Sequence, residues 1–358
     1  MTENNEVLLE VKDLKVNFKS YEGTAQVING VNLKVKKGEV ISVVGESGCG
    51  KSVTVRSMLG LVPTPPAQYV NGDITFEGKS VLNLSENEWQ KIRGKGISMI
   101  FQDPMTALNP VFTIGQHLID VYMYQGRKST LFMSRKEKKE LREKGRARAI
   151  EILEKMRIPD PEAILARYPV ELSGGMRQRI LIALALVHTP KLLIADEPGT
   201  ALDVSVQDQI LMELKRLVEI EGISMIFITH NLGVARMISD RVYVMYAGEV
   251  IEEAKTNTLF SESYHPYTKG LLSSIPKLSG GMGDGIDGRI PDFINPPAGC
   301  RFYDRCSVRL DKCNIVPPTL KRLSDGRSVS CHLFEEEGND NGKLYPTGGG
   351  SKEVFLHP

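Results

Sequence analysis

"VISVVGESGCGKS", Val40–Ser52, is the stretch from which the rest of the chain can be read. The apolar strand "VISVV" runs into a glycine-rich turn, and Lys-Ser then leads into the helix-patterned "SVTVRSMLGLV". The turn satisfies G-x-x-x-x-G-K-[ST] in full, between the strand and the helix that such a loop requires. Gly45, Gly48 and Gly50 let the backbone curl until successive N–H groups point at phosphate oxygens, and Glu46, Ser47, Cys49 and Val53 complete the expected ATP-binding stretch. Lys51 adds a point charge for the β- and γ-phosphates, and Ser52 a hydroxyl for the Mg²⁺ that bridges them. Cys49 reads as a small residue tolerated in the loop.

A phosphate loop needs a metal-binding carboxylate, and "LLIADEP" supplies one. Its apolar run ends in Asp196, at the strand end where open parallel sheets bind ligands. Glu197 follows, placed to orient and deprotonate an attacking water. Two further apolar runs, "ISMIF" (Ile97–Phe101) and "SMIFIT" (Ser224–Thr229), read as buried parallel strands separated by helical patterns. The fold class is therefore α/β, with a parallel sheet at its centre. Residues 7–44 and "GDITFEG" (Gly72–Gly78) alternate like strands of an antiparallel layer beside that core, and "RVYVMYAGEVIEE" reads as a hairpin turning at Ala247-Gly248. No NKxD-type guanine reader occurs. Phe18, at the end of the first strand, is the first choice to stack on adenine, with Tyr21 close behind; an ordinary core phenylalanine is the alternative.

Bulk properties exclude several classes. With 358 residues the chain can hold two domains, and 45 basic against 44 acidic residues give no general case for nucleic acid. The longest apolar run, "ILIALALV" (Ile180–Val187), is far too short to span a bilayer, and "MTENNEVLLE" lacks the basic start of a signal peptide. A soluble, cytosolic chain is expected. Between Asp103 and Leu172 the pattern turns helical and charged, with ten Lys or Arg against three Glu from Arg127 to Arg148. That stretch is either a solvated helix face or a surface lying near anionic lipid headgroups.

A second anion-binding helix start stands far from the first. In "ELSGGMRQRI" a serine and two glycines precede an apolar helical run, offering bare N–H groups. Leu172–Met176, followed by "RQR", resembles the signature motif of ABC ATPases. Gln102 in "MIFQDPMTALNP" is similar to their Q-loop, "TALD" (Thr200–Asp203) to their D-loop, and His230 in "IFITHN" to their switch histidine. With the phosphate loop and the Asp-Glu pair, all six stand in the family's order over about residues 7–255. Read alone, His230 has a structural histidine as its alternative, though its place closing an apolar strand 33 residues after Glu197 favours contact with the γ-phosphate, and Gln102 has a simple loop residue as its alternative. The resemblance implies that Gln102, Glu197 and His230 are catalytic, and that Ser52, Gln102 and Asp196 serve Mg²⁺. It also implies that two chains pack head to tail. Ser173, Gly174, Gly175 and Met176 of one chain would then cap ATP held by the other, with Asp203 in the D-loop.

The tail narrows the resemblance. "SYHPYTKGLLSSIP" and "PPAGCRFYDRCSVRLDKC" are similar to the C-terminal region of oligopeptide and dipeptide importer ATPases, extending the likeness to about residue 333. One departure is Gly199, where the family usually has Thr. Expected partners are a second homologous ATPase, two transmembrane permease subunits and, indirectly, an extracellular peptide-binding protein, with no nucleic acid. The expected location is the cytoplasmic face of the cell membrane, peripherally. Cys300, Cys306, Cys313 and Cys331 are spaced C-x₅-C-x₆-C-x₁₇-C, too widely for the usual zinc pairs and unlike a ferredoxin run. The resemblance favours a structural [4Fe–4S] cluster on these four; unligated thiols are the alternative. The expected divisions are an ATPase domain over 1–255 with a helical subdomain at about 103–185, an HPY segment and linker over 256–299, a Cys-rich region over 300–335 and a flexible tail over 336–358. A soluble ABC ATPase acting on ribosomes or DNA, and an importer of nickel or another small solute, are the rival functions.

Overall fold

The computed structural model describes residues 6–102, 107–125, 133–199, 203–275 and 285–334. Strands β1 (Val7–Lys19), β2 (Thr24–Lys36), β3 (Val40–Val44), β4 (Ala67–Phe76), β5 (Lys79–Ser80) and β6 (Ile97–Ile100) come first in the chain. They are followed by β7 (Leu192–Asp196), β8 (Ser224–Thr229), β9 (Arg241–Tyr246), β10 (Glu249–Lys255), β11 (Lys321–Arg322) and β12 (Ser328–Val329). They form two sheets. One is antiparallel in the order β2-β1-β4-β5; the other runs β11-β12-β10-β9-β3-β8-β7-β6.

The antiparallel layer is the expected one, with its last strand reassigned. Val40–Val44 leaves that layer and enters the second sheet, parallel to β8 on one side and β9 on the other. The reason is compositional: all five residues are buried, so this strand has no face to give to water. The Gly72–Gly78 strand starts earlier than expected, at Ala67, because its first residues extend the pairing along β1 as far as Phe18. The three expected parallel strands pair β6 to β7 and β7 to β8. The hairpin turns where expected, with Ala247 and Gly248 both at positive φ.

Register decides where the chemistry can sit. Val44 pairs with Thr229, Asp196 with Ile228, and Ile100 with Ala195, so β3, β8, β7 and β6 end nearly flush. The residues that follow these strands are the phosphate loop, His230, Glu197 and Gln102. Two apolar cores hold the sheet. One lies between the sheet and helices Ile114–Tyr124, Arg135–Lys155, Gly174–Leu186 and Val204–Glu221. The other lies between the sheet and the antiparallel layer. Helix Arg135–Lys155 begins in a capping box, where the Ser134 hydroxyl accepts from Glu137 N–H and the Glu137 carboxylate accepts from Ser134 N–H. Its buried residues are Gly145, Ala149, Ile152 and Leu153, so the charged first half faces water.

The C-terminal region is stitched onto the catalytic sheet. β12 pairs antiparallel with β10, and a third core joins Val244, Tyr246 and Ile251 to Tyr267 and Phe302. The Gly/Pro-rich linker has no helix or strand over 285–299, yet Ile286, Ile290 and Phe293 pack against the body of the protein, and Gln26 N–H donates to Phe293 O at 2.7 Å. The expected tail, from residue 336 on, lies outside the described residues, as do Asp103, Pro104 and Thr200–Leu202.

Candidate active site

Gly45 has φ +154°, and a Cβ there would run into the Met245 carbonyl, so only glycine can leave β3 in this direction. Gly50, at φ +105°, is the residue before helix Lys51–Ser57. Between them Ser47 and Gly48 are exposed, while Cys49 is buried and Gly248 N–H donates to its carbonyl at 2.8 Å. Burial raises the Cys49 thiol pKa, leaving an inward-facing neutral side chain, and its N–H donates to the Glu46 carbonyl at 3.3 Å. Lys51 is almost fully buried and donates to the Gly45 and Glu46 carbonyls at 2.8 and 2.9 Å. Its ammonium group thus lies within the cradle, satisfied by the loop's own oxygens. Val53 is half-buried on the helix.

Ser52 Oγ donates to Asp196 Oδ1 at 3.2 Å. Asp196 is 2% exposed. Its pKa is raised by burial, against the pull of the Ser52 hydroxyl and of Arg56. A desolvated carboxylate beside a hydroxyl is the donor set for a hard divalent cation, so these residues fit Mg²⁺.

Glu197 gathers the other expected groups. Gln102 Nε2 donates to its Oε2 at 3.2 Å, and His230 Nδ1 lies 3.2 Å from its Oε1. The carboxylate is largely buried while His230 is exposed. Glu197 also has φ +48°, a left-handed backbone uncommon outside glycine, with its N–H donating to Ile228 O at 3.0 Å. The next residues explain Gly199: a Cβ there would meet Gln207 Cγ at 2.6 Å, so the usual threonine would have to displace that side chain.

The signature residues stand on a different element. Ser173 precedes helix Gly174–Leu186, and its hydroxyl accepts from Met176 N–H at 3.3 Å. Ser173 is exposed, Gly174 and Gly175 are half-exposed, and a Cβ on Gly175 would lie 3.0 Å from Val206. Asp203 is exposed immediately before helix Val204–Glu221. Phe18 is half-buried against the second core, whereas Tyr21, in the turn after β1, is fully exposed.

Sequence reasoning missed a set of contacts from the C-terminal region to the phosphate loop. Tyr267 Oη accepts from Glu46 N–H at 3.0 Å, and Arg305 donates to the Glu46 carboxylate at 3.0 Å. The only signals were a tyrosine in "HPY" and an arginine beside a cysteine. The HPY segment is itself fixed by Glu252, which accepts from Tyr264 and His265 N–H groups at 2.7 and 3.0 Å.

Cys300, Cys306, Cys313 and Cys331 border one cavity of about 20 Å³, closed by Phe302, His265 and Pro318 among others. Burial raises the Cys300 and Cys331 thiols to about 12 and also lifts Cys306. Among the described residues no group of three or more His, Cys, Asp or Glu converges on a single metal ion. Four cysteines are the donor type of a thiolate-held cluster, and a cavity of about 20 Å³ has no room for one as it stands.

The family described as ABC transporter matches residues 28–200, and that described as oligopeptide/dipeptide transporter, C-terminal region, matches residues 251–313. The oligopeptide transport ATP-binding protein AppD of Bacillus subtilis (strain 168) is 45% identical over 333 residues, 92% of this chain and 98% of that protein. The dipeptide transport ATP-binding protein DppD of the same organism is also 45% identical, over 92% of this chain and 96% of its own. Among solved structures, the dimeric structure of MJ0796, described as a bacterial ABC transporter cassette, is similar with a TM-score of 0.58 and 29% identity, covering 70% of this chain and 99% of that one. CbiO1 from Clostridium perfringens, part of an ABC transporter complex, gives a TM-score of 0.59 at 28% identity, over 72% and 92% of the two chains.

Proposed function

This chain belongs to the ATP-binding subunits of oligopeptide and dipeptide ABC transporters, and from that premise we propose how its residues divide the work. It is an ATPase that uses ATP with Mg²⁺ to power peptide import, and it works with membrane permease subunits. The observation that carries the catalytic reading is the meeting of Gln102, Glu197 and His230 at the flush ends of β6, β7 and β8, beside the phosphate loop.

Gly45–Val53 receives the phosphates, and Lys51 exchanges the Gly45 and Glu46 carbonyls for phosphate oxygens. Ser52, Asp196 and Gln102 would hold the metal, which when bound would neutralise charge building on the phosphates. Glu197 Oε accepts the proton of the attacking water, and His230 turns from Glu197 towards the γ-phosphate. The strained backbone at Glu197 sets that carboxylate's direction. An aromatic ring covers adenine; Phe18 is the first choice, and the full exposure of Tyr21 favours it as the alternative.

Ser173, Gly174, Gly175 and Met176 act in trans, capping ATP held by a second, homologous ATPase subunit, while Asp203 lies at the junction. What supports this is that Ser173 N-caps a 13-residue helix whose first turn is open to a partner's phosphate. ATP then becomes part of the interface, and its hydrolysis releases the two subunits. Phe101, just before Gln102, and Val111 and Phe112, further along the same stretch of sequence, are exposed and offer the permease apolar side chains to dock on. Among the described residues no helix is long and apolar enough to cross a membrane. Peripheral attachment at the cytoplasmic face fits the permease dependence, with a peptide-binding protein acting on the outer side.

The four cysteines hold a [4Fe–4S] cluster that ties residues 300–331 together. The support is that all four cysteines border one cavity. Two measurements test these assignments. Proteoliposomes carrying the assembled transporter should take up peptide only with hydrolysable ATP, and Glu197→Gln should stop uptake. Anaerobically purified chain should be brown and contain iron; colourless protein with four titratable C-terminal thiols would refute the cluster while leaving the ATPase reading intact.

A further inference from the structure

We infer that Tyr267 and Arg305, which lie outside the ATPase motifs, are positioning residues for ATP: by fixing Glu46 they hold the phosphate loop in its receiving curl. The inference rests on the reading of Gly45–Ser52 as the ATP cradle and adds to it a dependence on the C-terminal region.

Both atoms of attachment are on one residue. The Glu46 N–H donates to Tyr267 Oη at 3.0 Å, and its carboxylate accepts from Arg305 Nη1 at 3.0 Å. Each partner is itself held. Tyr267 is fully buried, with its ring 4.7 Å from Tyr246 and 5.5 Å from Phe302. Arg305 is 6% exposed and also donates to the Asp287 and Ile286 carbonyls at 2.8 and 3.1 Å. The far side of the loop is tied in the same direction. Gly248 N–H donates to Cys49 O at 2.8 Å, and Arg301 donates to Ala247 O at 2.6 Å.

Glycine loses more freedom on ordering than any other residue, and this loop has three. Contacts that order it before ATP arrives therefore appear as affinity, not as a faster chemical step. Tyr267 and Arg305 do not reach the reacting atoms, and Glu46 is the residue through which they act. The C-terminal region is in this sense a wall of the nucleotide site.

The test uses the full-length chain with a fluorescent ATP analogue and Mg²⁺ for binding, and the assembled transporter for turnover. Tyr267→Phe keeps the ring and removes the acceptor. It is expected to raise the analogue's Kd and the KM for ATP by about five-fold, with kcat moving by less than about two-fold. Arg305→Met is expected to raise KM by about ten-fold, with Arg305→Lys recovering part of it. In the double variant Glu46→Gln/Arg305→Met the effects should not add, because both remove one interaction. Unchanged Kd and KM in folded Tyr267→Phe and Arg305→Met, additive effects in the double variant, or a loss confined to kcat would each overturn the inference. Lys51→Ala separates this from failure of the underlying reading: if the analogue still binds that variant, the cradle itself is misassigned.

Discussion

Ser52, in the first turn of the helix that follows the phosphate loop, and Asp196, the last residue of β7, share a hydrogen bond of 3.2 Å. The contact joins the helix after the phosphate loop to the strand end that precedes Glu197. It also holds the two candidate metal ligands together before any metal is present. Asp196 is nearly inaccessible, so its charge has few ways to be compensated except by that hydroxyl, by Arg56, by Lys51 and by a cation.

Asp196→Asn keeps the shape and removes the charge. Turnover in the assembled transporter is expected to fall by about 10²–10³, and the Mg²⁺ concentration for half-maximal activity to rise. A magnesium titration of phosphate release checks both. A variant with the wild-type metal requirement would show that Asp196 is not a ligand.

Glu197→Gln leaves a side chain that still fills the space between Gln102 and His230 but cannot accept a proton. The expected loss in kcat is about 10²–10⁴, with ATP still bound. Single-turnover phosphate release separates chemistry from binding. Hydrolysis at the wild-type single-turnover rate would remove Glu197 from the base role.

The parallel strands and the phosphate loop were legible because continuous apolar runs and glycine spacing have one physical outcome each. Val40–Val44 could be read as the loop's feeder, yet its place between β8 and β9 depends on pairing over long sequence distances, which a local pattern does not encode. Gln102, Glu197 and His230 were readable as separate motif residues; only the flush register of β6, β7 and β8 brings them within hydrogen-bonding distance. Tyr267 and Arg305 were not legible at all. A buried tyrosine hydroxyl and an arginine near a cysteine carry no periodic signal, and their partner Glu46 lies more than two hundred residues earlier.

Ser173→Ala discriminates between capping in cis and in trans. The lost N-cap costs about 1 kcal/mol locally, too little to unfold the chain. Nucleotide affinity of the isolated chain should be unaltered, because Ser173 serves a nucleotide bound elsewhere. ATP-dependent association with the partner ATPase, followed by sedimentation velocity on a Glu197→Gln background, should weaken at least about ten-fold. Weaker ATP binding by the isolated chain, with association unaffected, would place the signature in its own chain's site.

His265 gives the C-terminal region a pH dependence of defined sign. It is fully buried, its Nδ1 accepts from Tyr267 N–H at 3.0 Å, and burial pushes its pKa down to about 3. In the unfolded chain the value returns to about 6.5. Below that pH the unfolded state takes up a proton that the native state refuses, so acid favours unfolding. The contribution is fully present above about pH 6.5 and declines as pH falls towards 3, by about 1.4 kcal/mol per pH unit. Glu252, beside it, acts oppositely: burial raises its pKa, so acid neutralises it more readily in the fold. Comparing wild type with His265→Asn isolates the histidine, since Glu252 is common to both and asparagine keeps an acceptor. Urea midpoints should fall more steeply from pH 6.5 to 4.5 in wild type than in the variant, although the variant starts lower at pH 8. Parallel slopes would mean that His265 takes up its proton within the fold, and that the HPY segment opens in acid without unfolding the rest.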